Sequence, residues 1–411
     1  MQHAPEILVL SNGLRVLYHY QPETAVTHCA LMMKAGTRDE SKGQEGMAHF
    51  IEHCLFKGTT KRKSFHILNR LEVVGGELNA YTTKEETCIH ASVMNAYLER
   101  SMELIADIVF HSIFPDKEIE KEKDVIVDEI RSYQDTPYEQ IFDDFESIIF
   151  GKHALGHPIL GTETSLRKFK RKDLLTFLLK YYHPSRMVLS ISTAHTKDKV
   201  VKIAQKYFNE KTGQKKNLPR KIFSEYAAQH SVDIRSVSQV HHITGVPGYS
   251  VFDKDRYSLV LMNNLLGGPG MNSRLNLNIR EKYGFTYTIE SGYHAYTDTG
   301  IFHIYFATDI RHYEKTLQLL EQEIDKLCTQ PITPTMFRQY QEQLLGQITM
   351  GQENRLNVLL SMSKGLLNFD RVKPLSEIMA KIRALTPEQI RFTARKLLVK
   401  KNRSSLVYQP K

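Results

Sequence analysis

Apolar and polar positions alternate from the start of the chain. "EILVL" (6–10) and "LRVLYHY" (14–20) read as two strands around a turn at Ser11-Asn12-Gly13. A further strand pattern, "VTHCALMMKAG" (26–36), leads to "GMAHFIEHCLFKG" (46–58), where apolar residues recur at helical spacing and a glycine closes the segment. This half ends on a helix and a strand, "DLLTFLLKYYHPSRMVLSIS" (173–192). The same order returns about 210–217 residues later as "VHHITGVPG" (240–248), "YSLVLMNNLLGG" (257–268) and "EQIRFTARKLLVKKNRSSLVYQ" (388–409). Repetition of this kind predicts a duplicated α+β unit, not one doubly wound sheet. The expected fold is two such domains, each a mostly antiparallel sheet covered by helices on one face. Near the midpoint, "NEKTGQKKNLPRK" (209–221) is polar, basic and broken by Gly and Pro, and reads as a linker between domains 1–208 and 222–411.

A length of 411 residues suits two domains of this size. Hydrophobic content of 41% and charge of 25% are those of a soluble globular chain. No apolar run approaches the roughly 20 residues of a membrane span. The first residues resemble neither a secretory signal nor an amphipathic leader, so a cytoplasmic protein with no membrane partner is expected. Cys29, Cys54, Cys88 and Cys328 are scattered without a C-x-x-C pair, as in a reduced chain. The net charge of +9 gathers in small clusters at 167–173 and 211–216 that read as solvated surface. No nucleic-acid reading motif accompanies it.

Chemistry enters at "HFIEHCLFKGTT" (49–60). On a helix His49 and His53 lie one turn apart on the same face. Two imidazoles so placed grip one Zn²⁺ at about 2.0–2.1 Å each. Glu52 stands beside that face, in the H-x-x-E-H order that reverses the commoner H-E-x-x-H helix. Cys54 points about 100° round the helix and reads as a packed small hydrophobe. Aligning Gly58 with Gly268 sets His49, Glu52 and His53 opposite Leu259, Met262 and Asn263, so the repeated architecture does not itself require the histidines. A catalytic zinc needs a third protein ligand. The helical pattern "DKEIEKEKDVIVDEIRSYQD" (116–135) offers Glu122 and Glu129, seven apart and on one face.

With "GGELNAYTTKEET" (75–87) and "EKEKDVIVDEI" (120–130), these motifs resemble the pitrilysin (inverzincin) family of zinc metallopeptidases over essentially the whole chain. Within it they resemble the short-chain subfamily of the mitochondrial processing peptidases and their bacterial relatives. The resemblance implies Glu129 as third ligand, one zinc per chain, and Glu122 as an acidic residue supporting catalysis. It implies that the strand following the turn at Gly75-Gly76 is an edge to which substrate adds through backbone contacts at Asn79 and Ala80, and that Glu85 orients a zinc-bound His. In "GGPGMNSRLNLNIREKYGFTYTIESGY" (267–293), it implies that Arg280 and Tyr287 hold the substrate carbonyl and stabilise the oxyanion. The chain departs from the family at 88–90, where "CIH" replaces an expected aromatic Tyr.

The implied reaction is peptide hydrolysis. Zinc acidifies a bound water towards pKa about 7 and polarises the carbonyl, and Glu52 acts as general base. The rival readings are a non-catalytic scaffold subunit of the same fold and the catalytic subunit of a heterodimer with a zinc-free partner. Intact His49, Glu52, His53 and Glu129 favour an endopeptidase of peptides or unfolded segments. Because each chain carries one zinc domain and one ligand-free copy, a homodimer is expected, with Arg280 and Tyr287 of one chain serving the zinc of the other.

Overall fold

The computed structural model describes residues 4–209 and 218–411. Most of the expected linker, and the basic run at 211–216, lie outside the described residues. The chain divides into two units. The first comprises Met1–Arg131, His157–Arg220 and Gly351–Lys373; the second comprises Ser132–Gly156, Lys221–Met350 and Pro374–Lys411.

In the first unit, β1 (Glu6–Val9), β2 (Arg15–Tyr20), β3 (Val26–Met33), β4 (Glu77–Thr82), β5 (Thr87–Met94) and β6 (Met187–Thr193) form one sheet in the order β1-β2-β6-β3-β5-β4. Only β2 and β6 pair in parallel. In the second unit, β7 (His230–Arg235), β8 (Val240–Gly248), β9 (Thr286–Ala295), β10 (Gly300–Thr308) and β11 (Ser404–Pro410) are ordered β7-β11-β8-β10-β9, again with one parallel pair, β7 and β11. The order β2-β6-β3-β5-β4 thus recurs strand for strand. The duplication expected from the sequence pattern is present in the topology, as two mostly antiparallel sheets.

Side chains alternate across a strand, and β3 uses both faces. Cys29, Leu31 and Met33 enter the main core of the first unit, with residues of α1 (Met47–Leu55), α2 (Ser64–Glu72), α3 (Leu98–Phe110) and α4 (Asp116–Gln134). Ala30 and Met32 turn the other way. There, with Leu17, Cys88 and Val188, they meet Leu359, Leu366 and Leu367 of the helix Arg355–Phe369. Burying each leucine stabilises this layer by about 1.5–3 kcal/mol. Ser363 donates to Ser190 at 2.6 Å within it. The second unit repeats the arrangement. Phe302, Ile304 and Phe306 of β10 face its main core. Ile301, Tyr305 and Ala307 pack with Ile141, Phe145, Ile149 and Phe150 of α5 (Pro137–Phe150).

The contiguous halves expected from the sequence, 1–208 and 222–411, are therefore crossed by two segments. Residues 132–156 belong with the second sheet and 351–373 with the first. The reason is that each sheet carries its principal helices on one face and still has an apolar second face. A helix from the other half of the sequence covers it. No helix among the described residues is long and apolar enough to cross a membrane.

Candidate metal centre

Helix α1 begins after Gly46, whose φ of 90° is left-handed. A Cβ at that position would stand 2.6 Å from the Leu160 carbonyl oxygen, so only glycine fits. The Glu40 carboxylate closes the helix N-terminus, accepting the N–H groups of Gly46 (2.9 Å) and Ala48 (2.8 Å). Met47, Phe50, Ile51, Cys54 and Leu55 fix α1 in the core, with the Phe50 ring edge-on to Phe169 at 5.4 Å. Cys54 is one of these core residues, as expected, and burial pushes its thiol pKa upward. The remaining face of α1 carries His49, Glu52 and His53.

Helix α4 brings Glu122 and Glu129 to that face. Glu129 Oε2 lies 3.9 Å from His49 Nε2 and 3.8 Å from His53 Nε2. The two rings stand 4.5 Å apart and are tilted by 59°. These separations are too long for hydrogen bonds. Two ligands at about 2.0–2.1 Å from one tetrahedral ion stand about 3.3–3.4 Å apart, so a small closure would bring all three atoms onto one cation. The ligand atoms lie within 4.8 Å of one another, and no other group of His, Cys, Asp or Glu among the described residues meets that condition. In the second unit Leu259 and Met262 are core residues, so the repeated helix offers no ligands.

The donor atoms suit a cation, and their protonation differs from residue to residue. Burial, then the neighbouring His53, lowers the His49 pKa to about 3, keeping the imidazole neutral. Its buried Nδ1 has no hydrogen-bond partner. His53 Nδ1 stands 2.8 Å from Glu122 Oε1. A carboxylate can only accept, so Nδ1 carries the proton and Nε2 presents its lone pair towards Glu129. Burial alone would lower the His53 pKa; the hydrogen bond and charge of Glu122 outweigh it and raise the value. Lys57 Nζ contacts the other Glu122 oxygen at 2.6 Å. Burial raises the Glu122 pKa, but His53 and Lys57 together bring it below its ordinary value. Chiefly through burial, the Glu129 carboxyl is pushed up. Two imidazoles and a carboxylate form a donor set that fits a divalent cation such as zinc, which would displace the protons that the raised His53 and Glu129 pKa values favour.

Glu52 is 9% exposed. Its Oε2 accepts the Thr82 hydroxyl at 2.6 Å. Burial raises its pKa, partly offset by that hydrogen bond, which places it in the direction a general base requires. Thr82 ends β4, which among the described residues pairs only with β5 and forms one edge of its sheet. Asn79 and Ala80 lie on this edge strand, opposite His90 and Ile89.

Glu85 pairs with Arg38 at 2.8 Å and Arg220 at 3.2 Å, and the carboxylate that accepts from His53 Nδ1 is that of Glu122. Glu122, expected as an acidic residue supporting the site, has one oxygen engaged by His53 and the other by Lys57. Sequence reasoning missed Thr82, Lys57 and Glu40. In the second unit Arg280 lies on the π-helical turn Asn276–Glu281. Its guanidinium lies 5.3 Å from the ring centroid of Tyr287, and Tyr287 is 81% exposed. The two expected substrate contacts thus adjoin one another.

Comparison with known proteins agrees with this arrangement. Residues 15–163 match the family described as insulinase (peptidase family M16), and residues 168–344 match its peptidase M16 inactive domain. The chain is 30% identical over 388 residues to the uncharacterized zinc protease YmxG of Bacillus subtilis, covering 94% of each chain. It is 33% identical over 400 residues to an uncharacterized zinc protease of Rickettsia felis, covering 97% of this chain and 96% of the other. Its fold matches a protease from Helicobacter pylori with a TM-score of 0.92, at 20% identity and full coverage of both chains. A peptidase M16 inactive domain from Pseudomonas fluorescens has a TM-score of 0.91, also at 20% identity, with coverage of 100% of this chain and 98% of that one. With the repeated topology and the His-His-Glu group already in place, these similarities establish that the chain belongs to peptidase family M16.

Proposed function

We propose that the chain is a zinc-dependent endopeptidase that hydrolyses extended peptides or unfolded segments. The observation that carries this reading is the arrangement on α1. His49 and His53 converge with Glu129 on one point, and Glu52 stands on the same helix, bonded to the end of an edge strand. Bound there, zinc would acidify a water and polarise the substrate carbonyl.

His49, His53 and Glu129 would hold the ion, leaving a fourth position open. A peptide seated along β4, at Asn79 and Ala80, would present its scissile carbonyl beside Glu52. Glu52 takes one proton from the attacking water and delivers it to the leaving amine. As the C–O bond forms and the C–N bond breaks, no protein nucleophile is consumed. Arg280 and Tyr287 supply a cation and a phenolic donor for the carbonyl oxygen in this scheme. The same reading includes a homodimer, with these two residues acting on the partner chain's substrate.

The test is cleavage of an unstructured peptide library by purified protein before and after chelation, with zinc analysis. We expect about one zinc per chain, loss of cleavage on chelation and its return with added zinc. Glu129→Ala should lose the metal, because two remaining protein ligands hold zinc poorly. Cleavage unchanged by chelator, or undiminished zinc in Glu129→Ala, contradicts the reading.

A further inference from the structure

We propose that Thr82 is the positioning residue for the general base, fixing the orientation of the Glu52 carboxylate from the end of the strand on which substrate is read. The inference rests on the peptidase reading above.

Thr82 Oγ1 is 2.6 Å from Glu52 Oε2 and 3.4 Å from Thr87 Oγ1. A hydroxyl has one proton to donate. Thr87 directs its own to the Ala35 carbonyl at 2.9 Å, which leaves the Thr82 proton for Glu52. The long contact between the two hydroxyls therefore does not compete. Thr82 and Thr87 are also paired in register where β4 meets β5. The sheet ladder thus fixes the backbone that carries the donor. Glu52, by contrast, sits on a different element, and its buried side chain has two terminal torsions to settle. With Oε2 held, Oε1 remains for the attacking water. The proton transferred in the reaction moves from that water to Oε1 and on to the leaving nitrogen. The Thr82 proton stays where it is.

This places the donor at a junction. The residue that aims the base ends the strand along which the peptide is proposed to lie, and it follows Asn79 and Ala80 by three and two positions. Base and substrate are then referenced to one rigid edge. A misplacement of about 1 Å in such a geometry costs about 100-fold in rate.

Thr82→Val removes the hydroxyl at nearly constant volume, and Thr82→Ser restores it. In zinc-loaded protein, Thr82→Val should keep the metal and the melting temperature while kcat falls about 10- to 100-fold. KM should stay within about twofold, and Thr82→Ser should recover most of kcat, because only the orientation of the base is altered. Independently of turnover, crystal structures of the zinc-loaded proteins should show the Glu52 carboxylate rotated in Thr82→Val and in place in Thr82→Ser. Wild-type kcat in Thr82→Val, an equal loss in Thr82→Ser, zinc loss in step with activity, or an unmoved Glu52 carboxylate would each overturn the proposal. A wild-type protein that cleaves no peptide would defeat the peptidase reading, and the crystallographic comparison would still decide the role of Thr82.

Discussion

Glu122 accepts the Nδ1–H of His53 at 2.8 Å, and its other oxygen is held by Lys57 at 2.6 Å. The contact fixes which ring nitrogen is free, and it comes from 69 residues along the chain. Glu122→Gln should therefore retain the fold but weaken zinc binding about 10- to 100-fold, the usual effect of losing such a partner. Lys57→Met should weaken it less, since the carboxylate remains. Competition against a chelator of known affinity measures both, and undiminished affinity in Glu122→Gln would remove it from the role assigned here.

Acidification should destabilise the zinc-free protein. His242 is buried, stacked on Phe306 at 5.0 Å, and burial lowers its pKa to about 3. His49 behaves alike, at about 3. Unfolded, each titrates near 6.5. Below that pH the unfolded chain binds protons that the folded chain refuses, so stability falls as pH drops from about 6.5 towards 3, at up to about 1.4 kcal/mol per unit for each residue. His53 opposes this. Its raised pKa gives stability that is present below about 6.5 and is lost as pH rises through the folded value. His303, lowered to about 4, and His28, His90 and His241 act in the same sense as His242 and His49, while the raised carboxyls of Glu40, Glu52 and Glu129 act with His53. With six lowered histidines among the described residues, the expected net slope is downward on acidification. Urea unfolding at pH 7 and pH 5 checks it. Equal stability at the two values would contradict the balance, and His242→Gln should flatten the slope.

The helix Arg355–Phe369 covers an apolar sheet face formed by Leu17, Ala30, Met32, Cys88 and Val188. A fragment ending at residue 220 lacks that cover, so it should be poorly soluble and bind a hydrophobic dye. In the full chain Leu366→Ala should cost about 2–5 kcal/mol, read by urea unfolding. A cooperatively folded, soluble 1–220 fragment would show that the crossing helix is dispensable.

Much of this was legible in the sequence because it is local. The spacing of His49, Glu52 and His53 on one helical face follows from period 3.6 alone, and the repeated order of strand and helix patterns predicted the duplication. The same spacing argument admitted both Glu122 and Glu129. Resemblance chose between them, and the structure explains the choice, since one meets Nδ1 of His53 and the other faces both Nε2 atoms. Glu40, Lys57 and Thr82 were not legible because their roles depend on tertiary contacts that no periodicity encodes. The crossing helices left one trace. The run Cys29–Met33 is apolar at every position, the mark of a strand buried on both faces, which a sheet with helices on one face does not need.

If the active unit is a homodimer with shared sites, complementation will reveal it. An inactive Glu52→Gln chain mixed with an inactive Arg280→Ala, Tyr287→Phe chain should regain part of the activity, since one of the two sites in the mixed dimer is intact. No recovery despite demonstrated chain exchange would mean that each chain works alone or needs a different partner.

The most direct test of the central claim is the turnover of Glu52→Gln on an unstructured peptide at full zinc occupancy. The amide preserves the shape of the side chain and removes its capacity to take a proton. The account predicts about one zinc per chain, an unchanged fold and kcat lower by about 10²–10⁴. Turnover near that of the wild type, with zinc bound, would contradict it.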